Sequence, residues 1–129
     1  METLGNLKQF VQNTLSNNGC SYNLITTEIN PNKGYMVAIP EKELIIANFD
    51  KLTEKALQYK VAEFIKVNAL ILIGGTVDEN YFIGSWVDNN KLYLDISVNV
   101  SIKNEAEFLG RKYKQIAIWD CANLTSINL

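Results

Sequence analysis

Every even position from Leu92 to Ile102 is apolar (Leu92, Leu94, Ile96, Val98, Val100, Ile102), with polar Asp95, Ser97, Asn99 and Ser101 between them. A strand sends alternate side chains to opposite faces, so this pattern predicts a long strand with one buried face. A second apolar stretch, from Tyr81 to Val87, precedes it across Asp88-Asn89-Asn90-Lys91. Asparagine tolerates the positive φ that two-residue hairpin turns require, so the two stretches form a hairpin turning at Asn89-Asn90. Its register follows. Val87 faces Leu92, Ser85 faces Leu94, Ile83 faces Ile96 and Tyr81 faces Val98 on the core side. Trp86 faces Tyr93, Gly84 faces Asp95 and Phe82 faces Ser97 on the other. Trp86 and Tyr93 can stack across the strands, an interaction worth roughly 0.2–1 kcal/mol.

Before the hairpin, Leu4, Leu7, Val11 and Leu15 recur at helical spacing and predict a helix over Thr3–Asn17, ended by a left-handed Gly19. Strands are expected over Cys20–Ile29 and Tyr35–Pro40, paired as a first hairpin across Asn30-Pro31-Asn32-Lys33-Gly34, with Pro40 closing the second. Glu43–Phe49 reads as a third strand. Asp50 and Thr53 are candidate N-caps for a helix over Leu52–Val67, and Ala69–Ile73 is ambiguous between a helical turn and a buried strand. Gly74-Gly75 and a polar loop over Thr76–Asn80 follow. After the central hairpin, Asn104 and Glu107 have capping-box spacing for a third helix, with Ala106, Leu109 and Tyr113 on its apolar side. Gln115–Asp120 is apolar on both faces and predicts a strand interior to the sheet, and Leu124–Leu129 returns as an edge strand. The order α-β-β-β-α-β-β-α-β-β over residues 1–129 predicts one α+β domain, a single antiparallel or mixed β-sheet with about three packed helices.

Composition narrows the function classes. At 129 residues the chain can bury roughly two-thirds of its unfolded surface and needs no metal or disulfide to fold. A net charge of −2 argues against nucleic-acid binding. With no histidine, Ser-His-Asp and Cys-His catalysis are excluded. Two cysteines, Cys20 and Cys121, are too few for a structural zinc site and read as buried free thiols. Asp120 beside Cys121 would raise its pKa and deactivate it. The carboxylate pairs Glu41/Glu43 and Asp78/Glu79 read as solvated neighbours. Leu70–Thr76 lacks the glycine spacing of a phosphate loop, and Arg111, Lys112 and Lys114 suit the negative end of a helix dipole. No catalytic residue, metal site or cofactor is assigned. The start METLGNLKQF carries no signal-peptide pattern, and the apolar run Ala69–Ile73 is too short to span a bilayer, so a cytoplasmic protein without membrane contact is expected.

Three segments, Gly34–Val37, Gly84–Ser97 and Gln115–Asp120, together resemble a group of small proteins carried by bacteriophages, plasmids and integrated mobile elements. The resemblance spans about Cys20 to Ile127 and brings no assigned activity or site residues. It implies an accessory protein acting inside a bacterial cell. With the aromatic face, it makes a host macromolecule the expected partner, inhibition of a host defence protein being one use. The candidate partner-binding residues are Phe82, Trp86, Tyr93 and Asp95. In the competing reading a second layer covers that face and the rings are secondary core. Two further functions stay open: a small-ligand-binding protein, or an enzyme using carboxylate or lysine chemistry, with a pocket at Asp95, Ser97 and Asn99, and a homo-oligomer joined through the aromatic face.

Overall fold

The computed structural model describes residues 2–40, 42–72 and 80–129. Its elements are α1 (Glu2–Asn17), β1 (Gly19–Tyr22), β2 (Tyr35–Ala38), β3 (Leu44–Ile46), α2 (Glu54–Val67), the single turn α3 (Ala69–Leu72), β4 (Asn80–Asp88), β5 (Lys91–Val100), α4 (Lys103–Lys112), β6 (Ala117–Asp120) and β7 (Thr125–Asn128). The strands form one antiparallel seven-stranded sheet in the order β1-β4-β5-β2-β6-β7, with β3 also paired to β5. This is an α+β fold. Gly74-Gly75, most of the expected Thr76–Asn80 loop, Glu41 and the pair Asp78/Glu79 lie outside the described residues.

The β4–β5 hairpin organises the sheet. Asn89 and Asn90 take φ of 50° and 59°, the left-handed pair that a two-residue turn needs. Every opposed pair from Tyr81↔Val98 to Asp88↔Lys91 stands in the expected register. The ten-residue β5 is long enough to hold two short strands end to end along its other edge. Ser97–Val100 pairs with β2, and Leu92–Leu94 pairs with β3. Ile39 donates the last bond of the first ladder, to Ile96 O at 2.8 Å. Pro40 follows with no N–H to give, so the chain leaves the ladder before returning as β3.

The expected hairpin between Cys20–Ile29 and Tyr35–Pro40 does not form. β1 stops at Tyr22 and pairs with β4, leaving β4 and β5 between it and β2. Local polar chemistry ends the strand early. The Asn23 side-chain oxygen accepts from Ile25 N–H (2.8 Å) and Thr26 N–H (3.0 Å), which turns the chain at once. The segment then folds back on β1. Asn30 N–H donates to Ser21 O, and Ser21 N–H donates to the Asn30 side chain, both at 2.8 Å. The outer edge of β1 is thereby closed by its own loop.

Helix boundaries divide in the same way. Thr53 caps α2, its hydroxyl accepting from Ala56 N–H at 3.1 Å. Asp50 instead clasps the hairpin turn, accepting from the Asn90 amide at 2.8 Å. Asn18, not Gly19, takes the left-handed conformation after α1 (φ 61°). The Asn104/Glu107 capping box is not made either. Helix α4 begins at Lys103 after Ile102, with no side-chain cap.

All the long helices pack on one face. Phe10 and Val11 of α1, Leu57 and Val61 of α2, and Ile83, Leu92, Leu94 and Ile96 of the hairpin form the main core. Ala106 of α4 joins Val37, Val98 and Ile118 in a second cluster on the same side. Between α1 and the sheet sits a buried hydroxyl pair, Thr14 and Ser85, 2.6 Å apart. Each hydroxyl also has a backbone acceptor, Phe10 O for Thr14 at 2.9 Å and Cys20 O for Ser85 at 3.4 Å, so either can donate to the other. Removing one hydroxyl breaks this buried bond and leaves the other with its backbone acceptor alone, so Thr14→Val should cost about 1 kcal/mol. The double variant with Ser85→Ala should recover part of that loss in denaturant melts, whereas additive losses would show that the hydroxyls are not coupled.

Candidate functional site

The side of the sheet opposite the helices is read most clearly as rows running across the strands. One row is Gly19–Trp86–Tyr93–Ile45, and the next is Ser21–Gly84–Asp95. Phe82–Ser97–Ala38 follows, and then Asn80–Asn99–Met36–Trp119–Ser126. First and last rows are six residues apart along β5, about 20 Å.

The two ends differ. At one, Trp86 and Tyr93 stack with ring centroids 4.0 Å apart and planes within 7°. Trp86 is 42% exposed and Ile45, flanking Tyr93, is 52% exposed. A face-to-face pair this open is an apolar surface over which the described residues place no second layer. At the other end the face is closed around Phe82 and Met36, while Trp119 at its margin stays exposed. Phe82 is only 2% exposed and packs with Met36 and Cys121. The chain entering β2 and the turn after β6 gather there. Asn99 donates to Lys33 O at 2.9 Å and lies 3.3 Å from the Met36 sulfur, and Cys121 N–H donates to Gly34 O at 3.1 Å. Phe82 is therefore corrected from a contact residue to part of a small core. A benzyl ring has no polar tip to present to water, and the neighbouring turns supply it with cover.

Asp95 occupies the step between these ends. Trp86 Nε1 donates to Asp95 Oδ2 at 3.3 Å, and Asp95 Oδ1 lies over Gly84, where a β-carbon would collide with it. Glycine at 84 is thus what lets the carboxylate lie flat on the sheet beside the indole. The carboxyl is pushed up to about 6, chiefly because burial penalises its charge. Glu43 adds like-charge repulsion, and the Trp86 hydrogen bond partly opposes both.

Two residues of this surface were not singled out from the sequence. Alternation in Gln115–Asp120 puts Ala117 and Trp119 together, but only the Met36↔Trp119 pairing assigns them to the helix-free side. There Trp119 is 41% exposed. Ile45 likewise joins the stack only through its pairing with Tyr93. The apolar character of both faces of β6 reflects this open surface as well as an interior position between β2 and β7.

Cys20 and Cys121 are free and buried on opposite sides of the sheet. Burial pushes both thiols up to about 11, with Asp120 and Glu28 adding to the effect at Cys121. Among the described residues no group of three or more Cys, Asp or Glu could hold a metal ion. Two shallow grooves flank β3, one of about 430 Å³ running from Leu44 to Leu52 and Lys60, the other of about 330 Å³ between Lys42–Leu44 and the Glu63–Asn68 end of α2. Neither is lined by Asp95, Ser97 or Asn99, the residues through which the alternative small-ligand or enzyme reading would need a pocket. No helix of the described residues is long and apolar enough to cross a membrane. Comparison of the chain with protein-family models, with curated proteins and with solved structures finds no match.

Proposed function

We propose that this protein is a non-enzymatic binding protein that holds a protein partner on the helix-free face of its sheet. One observation carries the reading: the half-exposed Trp86–Tyr93 stack, bordered by Ile45 and by the recessed carboxylate of Asp95. Aromatic rings edged by polar groups are the usual anchors of protein interfaces, because they bury much area and lose little side-chain entropy. A rigid sheet supplies preorganisation, which lowers the cost of association. In the phage or mobile-element setting that the sequence resemblance implies, the partner is a host protein, and blocking a defence protein is a use that fits a small accessory chain. The contact residues are Trp86, Tyr93, Asp95 and Ile45.

The test is to capture partners from a bacterial lysate, purify the captured protein and measure its affinity by calorimetry. Trp86→Ala should weaken binding about tenfold or more. A partner that binds Trp86→Ala and Asp95→Lys as tightly as the unaltered protein would remove the face from consideration. Light scattering across concentrations checks the competing use of the face, as a contact between two copies of this chain.

A further inference from the structure

We infer that the open end of the sheet face is a receptor for an arginine side chain of the protein partner, the guanidinium lying against the Trp86–Tyr93 stack and donating to the carboxylate of Asp95. This rests on the reading above and names the chemistry that the face selects.

Among the described residues the charge of Asp95 is left without a cation. Asp95 is half-buried between a stacked indole and the backbone of Gly84. Its hydrogen-bond donor is a neutral one, the Trp86 indole. The charged group that acts on it is Glu43, of the same sign. Among the described residues no lysine or arginine is paired with it, and the rows Gly19–Trp86–Tyr93–Ile45 and Ser21–Gly84–Asp95 contain no basic residue. A carboxylate withdrawn from water without a cation costs stability, and such costs concentrate at functional sites. A cation brought by a ligand would offset the cost.

The surroundings specify which cation. The negative faces of aromatic rings attract cations, and a carboxylate beside them adds a charge-assisted acceptor. A guanidinium is planar, so it can lie along a ring while giving N–H groups to a carboxylate, whereas a strongly hydrated ammonium does this poorly. Arginine also has the reach to enter past two rings while its carbon stem covers Ile45. The source is a protein segment rather than a free small molecule. Small ligands bind in cavities that enclose most of their surface, and the open end of this face offers a ledge bordered by exposed apolar groups.

The experiment follows the Trp86 indole N–H by NMR while acetyl-arginine amide, acetyl-lysine amide or acetyl-citrulline amide is added. Citrulline keeps the shape of arginine and lacks its charge. Arginine amide should move the Trp86 signal saturably, with lysine and citrulline amides at least about tenfold weaker. Asp95→Asn should abolish the response while keeping the remaining spectrum of the folded protein. Equal shifts from arginine and citrulline amides, a stronger response to lysine amide, an unchanged titration in Asp95→Asn, or no response to arginine amide at tens of millimolar would each overturn the inference. A purified partner that still requires Trp86, after arginine amide has failed, would leave the binding face standing and remove only its proposed ligand. Loss of both would remove the face itself.

Discussion

Leu94→Ala should lower the free energy of unfolding by about 3 kcal/mol, while Tyr93→Ala, one residue away, should lower it by about 1 kcal/mol or less. Leu94 is fully buried in the main core with Ile83, Ile96 and Leu57. Its truncation removes apolar area from the core and leaves a cavity that a tightly packed interior fills only in part. Tyr93 lies on the helix-free face, where its loss exposes part of one indole and opens no void in the core. For a domain whose whole stability is of order 5–15 kcal/mol, the difference is large enough to read directly from denaturation midpoints. Equal losses at the two positions would mean that the aromatic face is a second core, and the binding proposal would fall with it.

Asp95→Asn should stabilise the protein by about 2 kcal/mol at pH 7.5 and by only a few tenths of a kcal/mol at pH 4. The folded-state pKa, about 6, lies above the ordinary carboxylate value. The native state therefore holds the proton more tightly than the unfolded chain does. Falling pH through this window favours folding, and rising pH disfavours it. Well above pH 6 both states are ionised and the wild-type protein bears the whole burial penalty; well below pH 4 both are protonated and the penalty is gone. Asparagine never carries the charge, and its carbonyl can still accept from Trp86 Nε1, so the variant's advantage should fade between those limits. The full shift corresponds to roughly 3 kcal/mol, reduced here because the carboxyl is still partly in contact with water. Thermal melts of both proteins across pH 4–8 measure this. A variant less stable than wild type at pH 7.5 would show that the carboxylate is a structural asset, and the case for a ligand supplying its missing cation would lose its premise.

The fold was only partly legible from residue order. Even-position hydrophobicity in β5 and the paired asparagines are local signals, and they were enough for the hairpin and its register; Asp50 and Thr53 were equal candidates to cap α2, and only the structure chose Thr53. The side chain of Asn23 gives a local signal too, but it competed with a longer strand and won, which ended β1 at Tyr22. At α4 a capping pattern was present and unused.

Residue order alone determined which side chains share a face within each element, because a pleated strand alternates with period two whatever surrounds it. On that basis Trp86, Tyr93 and Asp95 belong together before any fold is known. The tertiary structure alone decided that β1 and β2 lie on either side of the hairpin, that Ile45 and Trp119 join the same face, and that Phe82 is covered while Trp86 is open. The reason is that every strand offers a neighbour the same backbone donors and acceptors. Choice of partner, and the cover each face receives, is therefore settled by chain segments distant in sequence, through the space they fill and the polar groups they must satisfy.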